Sequence, residues 1–217
     1  MLSRRRLLAF ILAAGAGAAG LLSVRFATAR YYDGPISDHF DGTRFFDVHG
    51  MPPKSLAEVA RWWVAGGKSQ WPSEVKNAYA DRPPARVEGP RLRVASVGHA
   101  SFLLQTAGLN ILTDPVWSER ASPFTFAGPK RVRPPGIAFD ALPPIDIVLV
   151  SHCHYDHLDL ATLSRLAATH RPRVITPLGN DAIMRAHDPA IRVEAFDWGD
   201  RTPLGDAVAA TLVPMRH

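Results

Sequence analysis

The chain has 217 residues, of which 47% are hydrophobic and 21% are charged. This composition excludes wholesale disorder, collagen and coiled coil, and the length suits one domain with a small extension. The single cysteine excludes a disulfide framework within the chain and a site built from several thiolates. The formal net charge is +5, but residues 1–29 hold four arginines and no acidic residue. The remainder is nearly neutral, which argues against a nucleic-acid partner.

The first segment, residues 1–29, has the layout of a targeting signal. Arg4, Arg5 and Arg6 precede an uncharged, mostly apolar stretch over 7–24, as in a secretory signal or a signal anchor. The same arginines resemble a twin-arginine export signal. We expect a location in the bacterial inner membrane or periplasm. Cleavage after Ala29 and retention as an anchor both stay open, because the apolar stretch is nearly long enough to span a bilayer.

Residues 30–90 are proline-rich and predict an irregular N-terminal arm with one short helix. The helix signal is a capping box in which Ser55 precedes Glu58 by three residues. The pattern ends at Gly66, where a glycine favours termination of a helix.

The third segment, residues 91–217, predicts an α/β domain. Three short strands come first, and strands then alternate with helices, which is typical of a layered α/β fold. The continuous apolar run of Ile145–Val150 predicts a strand buried on both faces. The other predicted elements are strands over 91–97, 101–106, 109–113, 173–176, 191–196 and 207–213, and helices over 160–170 (capped by Asp159) and 180–187.

A metal-binding pattern, HxHxDH, follows the predicted buried strand directly. In an extended segment, His152 and His154 point to the same side, so both imidazoles can bind one metal ion. Asp156 and His157 come after the chain turns and can reach a second ion. Imidazole and carboxylate together suit zinc, with iron or manganese as alternatives. Cys153 is expected to point away from the histidines as a buried thiol.

Further short motifs surround this pattern. They are Tyr31–Pro35, Ser37–Gly42, Val97–Ser101, Leu112–Val116, Gly128–Arg131, Leu142–Asp146 and Asp197–Asp200. Together with HxHxDH, they resemble the metallo-β-lactamase superfamily. Within it, the resemblance is to the branch that contains N-acyl-phosphatidylethanolamine phospholipase D and related bacterial hydrolases, and it covers about residues 31–217.

The resemblance implies an αββα sandwich with a dinuclear metal site between its halves. His152, His154 and His217 would bind the first metal, and Asp156 and His157 would bind the second. Asp156 would also be the catalytic residue that fixes a hydroxide between two zinc ions. The pattern of the family continues after His217, so we expect only the N-terminal half of the sandwich here. A missing C-terminal half or a partner chain is expected to complete it.

Four other residues are candidates for the surroundings of the site. Asp114 ends a predicted strand and could orient a ligand imidazole or cap a turn. His99 could line the site or be structural. Lys130 and Arg131 could receive a phosphate or lie on a solvated loop.

The resemblance, together with the HxHxDH motif and the targeting segment, implies a metal-dependent hydrolase that acts on phosphodiesters of N-acyl phospholipids through a metal-held hydroxide. A lactone or another acyl compound is the alternative substrate. A truncated, non-catalytic fragment that binds metal is the alternative outside the enzyme class. The expected partners are a small-molecule or lipid substrate and a membrane.

Overall fold

The structure is a computed structural model that describes residues 31–47, 50, 54–66, 70–78 and 80–215. The predicted targeting segment and His217 lie outside the described residues. The chain divides into two compact units, Met1–Phe45 and Phe46–His217. The predicted segment boundaries after residues 29 and 90 stay predictions. In the described part of the chain, no helix has the length and apolar character needed to cross a membrane.

The described part of the first unit is built around an aromatic cluster. The ring centroid of Phe40 lies 5.0 Å from that of Tyr32 and 4.6 Å from that of Phe45. The adjoining turn is fixed by Asp41, whose Oδ1 accepts hydrogen bonds of 2.7 Å from the backbone N–H groups of Thr43 and Arg44. These two bonds hold the pKa of Asp41 below its usual value.

The second unit contains a six-stranded sheet whose strands lie side by side in chain order. The first three strands pair antiparallel, and each later strand pairs parallel with the one before it. The parallel part fits the predicted alternation of strands and helices, because parallel neighbours need a crossover connection. The strands are β1 (Leu92–Gly98), β2 (Ser101–Thr106), β3 (Leu109–Thr113), β4 (Ile147–Leu149), β5 (Arg173–Pro177) and β6 (Val193–Phe196).

The described residues include three α-helices, α1 (Leu56–Ala65), α2 (Leu160–Thr169) and α3 (Asn180–His187). Helix α1 has the predicted capping box: the backbone N–H of Glu58 donates to Ser55 Oγ, and the backbone N–H of Ser55 donates to the Glu58 carboxylate. Helix α2 begins after its predicted cap, since Asp159 accepts a hydrogen bond from the backbone N–H of Thr162. A short 3₁₀ helix covers Phe139–Ala141.

The two faces of the sheet are buried by different elements because neighbouring residues of a strand point to opposite faces. On one face, the apolar side chains of the strands pack with α2 and α3 in a core that includes Leu112, Val148, Leu166 and Met184. On the other face, Ile111, Ile147 and Ile175 pack with Leu204, Val208 and Leu212. A second, two-stranded sheet lies in that region, formed by β7 (Arg201–Pro203) and β8 (Ala209–Thr211).

The predicted α/β class is confirmed, with differences at individual strands. The predicted strand over 207–213 is only three residues long, and its partner β7 was not predicted. Strand β4 is also shorter than the apolar run of Ile145–Val150. Residues outside a strand can be as deeply buried as those inside it, as Ile145 and Val150 are, so an apolar run overestimates strand length.

Candidate metal centre

The HxHxDH segment forms a loop at the carboxyl end of the parallel strand β4. This edge of an open α/β sheet is where such folds usually bind ligands. The backbone N–H of Val150 donates a hydrogen bond of 2.9 Å to the carbonyl of Ile175 on β5. This bond fixes the start of the loop to the neighbouring strand. The chain then turns, and the carbonyl of His154 accepts hydrogen bonds from the backbone N–H groups of both His157 and Leu158.

The turn overturns one expectation, because Cys153 is exposed and not buried. The prediction assumed that the strand continues through the motif with alternating side chains. The strand ends at Leu149, so strand alternation does not apply at residue 153.

His152 and His154 lie together, as the motif predicts, and form the first candidate metal position. His152 Nε2 and His154 Nδ1 are 3.1 Å apart. Two nitrogen ligands of a tetrahedral zinc ion with bonds of about 2.0–2.1 Å stand roughly 3.3 Å apart. These two nitrogens therefore fit one ion. The predicted third ligand, His217, lies outside the described residues.

Asp156, His157 and His99 form the second candidate position. Asp156 Oδ2 lies 2.9 Å from His99 Nε2 and 3.6 Å from His157 Nε2. One ligand atom from each of these three residues lies within 4.8 Å of the others. Two imidazoles and a carboxylate are a donor set that zinc accepts. The two positions adjoin, because the ring centroids of His152 and His157 are 4.1 Å apart.

Asp114 holds the loop in place through contacts with Ser151 and His157. It follows β3, and its side chain is almost fully buried. Its Oδ2 accepts a hydrogen bond from Ser151 Oγ (2.7 Å) and lies 2.8 Å from His157 Nδ1, while Oδ1 accepts from the Ser151 N–H (2.7 Å). A carboxylate beside one imidazole nitrogen directs the other nitrogen of the ring to a metal. Asp114 thus has the place of a residue that orients a ligand.

Ser151 is a site residue whose role the sequence did not predict. In addition to its bonds to Asp114, its Oγ lies 2.9 Å from His152 Nδ1. Ser151 therefore links the Asp114 carboxylate to the His152 ring of the first candidate metal position. The only sequence signal for this role is its place directly before HxHxDH, and a hydroxyl there could be assigned a role only from the folded loop.

The electrostatics of the second position favour an ionised Asp156. Burial raises the pKa of this carboxyl, but its own backbone N–H, His157 and His99 together outweigh burial and hold the pKa below its usual value. An ionised carboxylate is the form that binds a cation and accepts hydrogen bonds.

Asp159 anchors the far end of the loop. Its carboxylate accepts hydrogen bonds from the backbone N–H groups of Trp117, Ser118 and Thr162, and from two hydroxyls. These bonds tie the start of α2, and with it the far end of the loop, to the chain segment that follows β3.

The two basic candidates have protein partners. Lys130 Nζ forms an exposed ion pair with Glu119 at 2.7 Å. Arg131 donates from Nη2 to the carbonyl of Val116 at 2.7 Å. Burial lowers the pKa of this guanidinium, and the negative charge of Asp159 offsets only part of that effect. Their predicted contact with a substrate phosphate stays a prediction.

One family model and several known proteins are similar to this chain. The profile of the beta-lactamase superfamily domain matches residues 109–217. An uncharacterized protein of Mycobacterium tuberculosis is 34% identical over 208 residues, covering 94% of this chain and 54% of that protein. The N-acyl-phosphatidylethanolamine-hydrolyzing phospholipase D 1 of Caenorhabditis elegans is 36% identical over 130 residues, covering 56% of this chain and 36% of that protein.

A solved structure, a diiron beta-hydroxylase from Streptomyces venezuelae, is similar with a TM-score of 0.37 and 26% identity. The similarity covers 54% of this chain and 23% of that chain.

The chain spans about half the length of the mycobacterial relative. The superfamily profile covers half of the chain and includes Asp114 and the HxHxDH loop, whereas His99 lies outside it. The chain therefore belongs to the metallo-β-lactamase superfamily.

Proposed function

We propose that the protein is a metal-dependent hydrolase that cleaves the phosphodiester bond of N-acyl phospholipids. The observation that carries the proposal is the pair of adjoining donor sets on one loop. His152 Nε2 and His154 Nδ1 face each other across 3.1 Å, and Asp156 and His157 lie beside them, with Asp114 fixing the ring of His157. Zinc is the proposed metal, with iron and manganese as alternatives.

Divalent cations at the two positions would supply Lewis acidity toward a phosphoryl oxygen and make water a nucleophile at neutral pH. The residues of this chain then have separate roles. His152 and His154, with His217 as the proposed third ligand, hold the first position, and His157 contributes to the second. Asp156, ionised at neutral pH, holds the second position and accepts a hydrogen bond from the attacking water, which orients the water toward the phosphorus.

The proposed substrate class is supported by the name of the C. elegans relative and by the targeting signal predicted in residues 1–29. In the proposed reaction, water attacks the phosphorus and the bond from phosphorus to the ethanolamine oxygen breaks. The products are phosphatidate and N-acylethanolamine, and the proton of the water ends on the leaving alcohol.

The test uses the full-length protein, zinc-loaded, with N-acyl-phosphatidylethanolamine in mixed micelles, and mass spectrometry of the products. We expect both products, and a loss of more than about 100-fold in His152→Ala, because changes in outer-shell residues alone cost about 10- to 100-fold. The matched control is His187→Ala, which removes an exposed histidine of α3. Opening of an N-acyl homoserine lactone with no phospholipid cleavage would favour the acyl alternative. Absence of hydrolysis from all of these substrates would overturn the proposal.

We also propose that the protein is exported or anchored by its first segment. The support is the arginine triplet followed by an uncharged stretch. The mass of the native protein tests how the segment is processed. A chain that starts at Arg30 shows cleavage after Ala29, an intact chain in the membrane fraction shows an anchor, and an intact chain in the soluble cytoplasmic fraction contradicts the proposal.

A further inference from the structure

A cavity of about 610 Å³ lies at the amino ends of strands β4, β5 and β6. Its wall includes Asp146, which directly precedes β4, Arg173, which begins β5, and Val193, which begins β6. The HxHxDH loop follows the carboxyl end of β4, so the cavity lies at the opposite end of the parallel strands. Pockets that hold small molecules have volumes of about 300–1,000 Å³, and this cavity is within that range.

Two carboxylates on the wall of the cavity are already paired with arginines. Asp146 forms an ion pair with Arg86. The Glu194 carboxylate accepts hydrogen bonds of 2.7 Å from Nε and Nη2 of Arg173. Each of these negative charges is therefore balanced before the other arginines of the wall are counted.

Three more of the described arginines line the cavity, namely Arg171, Arg185 and Arg192. Arg185 forms an ion pair with Asp181, one turn earlier in α3. Arg171 and Arg192 are exposed, and neither forms an ion pair with the part of the chain that the structure describes. The cavity thus presents two positive charges that attract an anion.

The backbone at Arg171 indicates that the guanidinium is there for its chemistry. Arg171 follows the cap of α2, its backbone N–H donates to the carbonyl of Leu166, and its φ is +54°. Glycine is the residue that most often ends a helix in this left-handed conformation, because a β-carbon disfavours it. The turn therefore does not require arginine at residue 171.

A histidine on the same wall adds a neutral donor. The backbone N–H of Ile145 donates to His170 Nδ1 at 3.4 Å, so the hydrogen of the neutral ring lies on Nε2. Guanidinium groups offer paired N–H donors that match the oxygens of a phosphate.

We propose that this cavity binds the phosphate group of a small phosphate monoester through Arg171, Arg192 and His170. A phosphate monoester carries a charge of about −1.5 to −2 at pH 7, which matches the two guanidinium charges. The cavity is larger than a phosphate group, so the rest of the ligand would lie against the apolar part of the wall, such as Pro189. The proposal needs no metal and is independent of the proposed function.

A purely structural role for Arg171 makes a different prediction. A cation at the carboxyl end of a helix interacts favourably with the helix dipole. If Arg171 served only that purpose, Arg171→Gly would lower the free energy of unfolding and leave ligand binding unchanged. If Arg171 binds phosphate, the same variant loses binding, and its stability is equal or higher because glycine accepts the left-handed backbone.

The experiment is equilibrium dialysis of the full-length, zinc-loaded protein with radiolabelled glycerol 3-phosphate, and with inorganic phosphate as the second probe. The variants are Arg171→Gly and Arg192→Gln. The control is Arg165→Gln, which removes the same charge from an arginine of α2 that is paired with Asp140. Phosphate bound at the metal centre is common to all four proteins, so differences between them report on the cavity alone.

The expected result is that each of the two variants binds glycerol 3-phosphate at the cavity roughly 10- to 100-fold more weakly, because a charge-assisted hydrogen bond is lost. The control should bind as the unsubstituted protein does, and urea denaturation should find Arg171→Gly at least as stable. Equal binding by all four proteins, or an equal loss in Arg165→Gln, would overturn the proposal. Tighter binding of inorganic phosphate than of glycerol 3-phosphate would overturn the assignment to a monoester.

Discussion

Asp114 Oδ2 lies 2.8 Å from His157 Nδ1, which links the end of strand β3 to the loop after strand β4. The carboxylate is nearly inaccessible to solvent and also receives two hydrogen bonds from Ser151. A carboxylate only accepts hydrogen bonds, so the hydrogen of this imidazole lies on Nδ1 and Nε2 is the nitrogen available to a metal. The packing of the sheet thereby fixes the orientation of a proposed ligand.

The first prediction concerns the charge of Asp114. Asp114→Asn keeps the shape of the side chain, and asparagine tolerates the φ of +36° found there. The amide presents a weaker acceptor to His157, so we expect zinc affinity to fall about 10- to 100-fold. Competition with a chromophoric chelator measures this change. The control is Asp140→Asn, an exposed residue paired with Arg165, and equal affinities in the two variants would contradict the proposed role of Asp114.

The second prediction separates the two metal positions. His154→Ala removes a nitrogen that lies 3.1 Å from His152 Nε2 and leaves Asp156 and His157 in place. We expect a loss of one metal equivalent per chain, with the other position still filled, because each position has its own donors. Equilibrium dialysis followed by elemental analysis gives the stoichiometry. Retention of both equivalents in this variant would show that His154 is not a ligand.

The third prediction concerns the stability of the loop anchor. Asp159→Ala removes a helix cap, worth about 1 kcal/mol, and leaves the part-buried backbone N–H of Ser118 without its acceptor, at about 1–3 kcal/mol. The backbone N–H of Trp117 keeps Thr162 Oγ1 as an acceptor. We expect the free energy of unfolding to fall by about 2–4 kcal/mol.

Urea denaturation measures the change at Asp159, and Asp140→Ala is the control. Asp140 forms an exposed ion pair, so its removal should cost less than about 1 kcal/mol. Similar losses in the two variants would contradict the anchoring role of Asp159.

The fourth prediction concerns pH. Burial of His170 lowers its pKa from the ordinary value of 6.5. In the unfolded chain this histidine takes up a proton near pH 6.5, whereas in the folded chain it does so only at a lower pH. His170 therefore contributes no pH dependence above pH 6.5, and it lowers stability as the pH falls from 6.5 toward its folded pKa.

Urea denaturation at pH 7.5 and at pH 5.5 tests whether the protonation of His170 lowers the free energy of unfolding. The unsubstituted protein should lose more stability on acidification than His170→Gln, in which the titrating group is absent. An equal loss in both proteins would show that the folded and unfolded pKa values of His170 do not differ.

The elements with strong local signals were predictable from the sequence. The capping box of Ser55 and Glu58 and the cap of Asp159 are local, and both are present as predicted. The strands β2 and β3 have their predicted bounds, because the turn at Ala107 and Gly108 separates two apolar runs. The pair β7 and β8 was harder to predict, since three-residue strands leave almost no periodicity to detect.

The sequence gives definite roles only to site residues that are neighbours in one motif, and for His99 and Asp114 it leaves structural roles open as alternatives. His152, His154, Asp156 and His157 lie within one motif, whereas His99 and Asp114 reach it through the pairing of distant strands. The position of Cys153 was wrong because the chain leaves strand geometry before the motif begins. Roles that depend on the path of a loop, such as that of Ser151, follow from tertiary structure.

The most direct test of a metal-dependent hydrolase is a zinc titration of the metal-free, full-length protein, with turnover of a bis-aryl phosphodiester recorded at each addition. We predict that turnover is absent without metal, rises with zinc, and stops rising at two equivalents per chain, and that His152→Ala shows no turnover at any zinc concentration. Turnover that persists without metal, or that His152→Ala retains in full, would contradict the assignment of the HxHxDH loop as the catalytic centre.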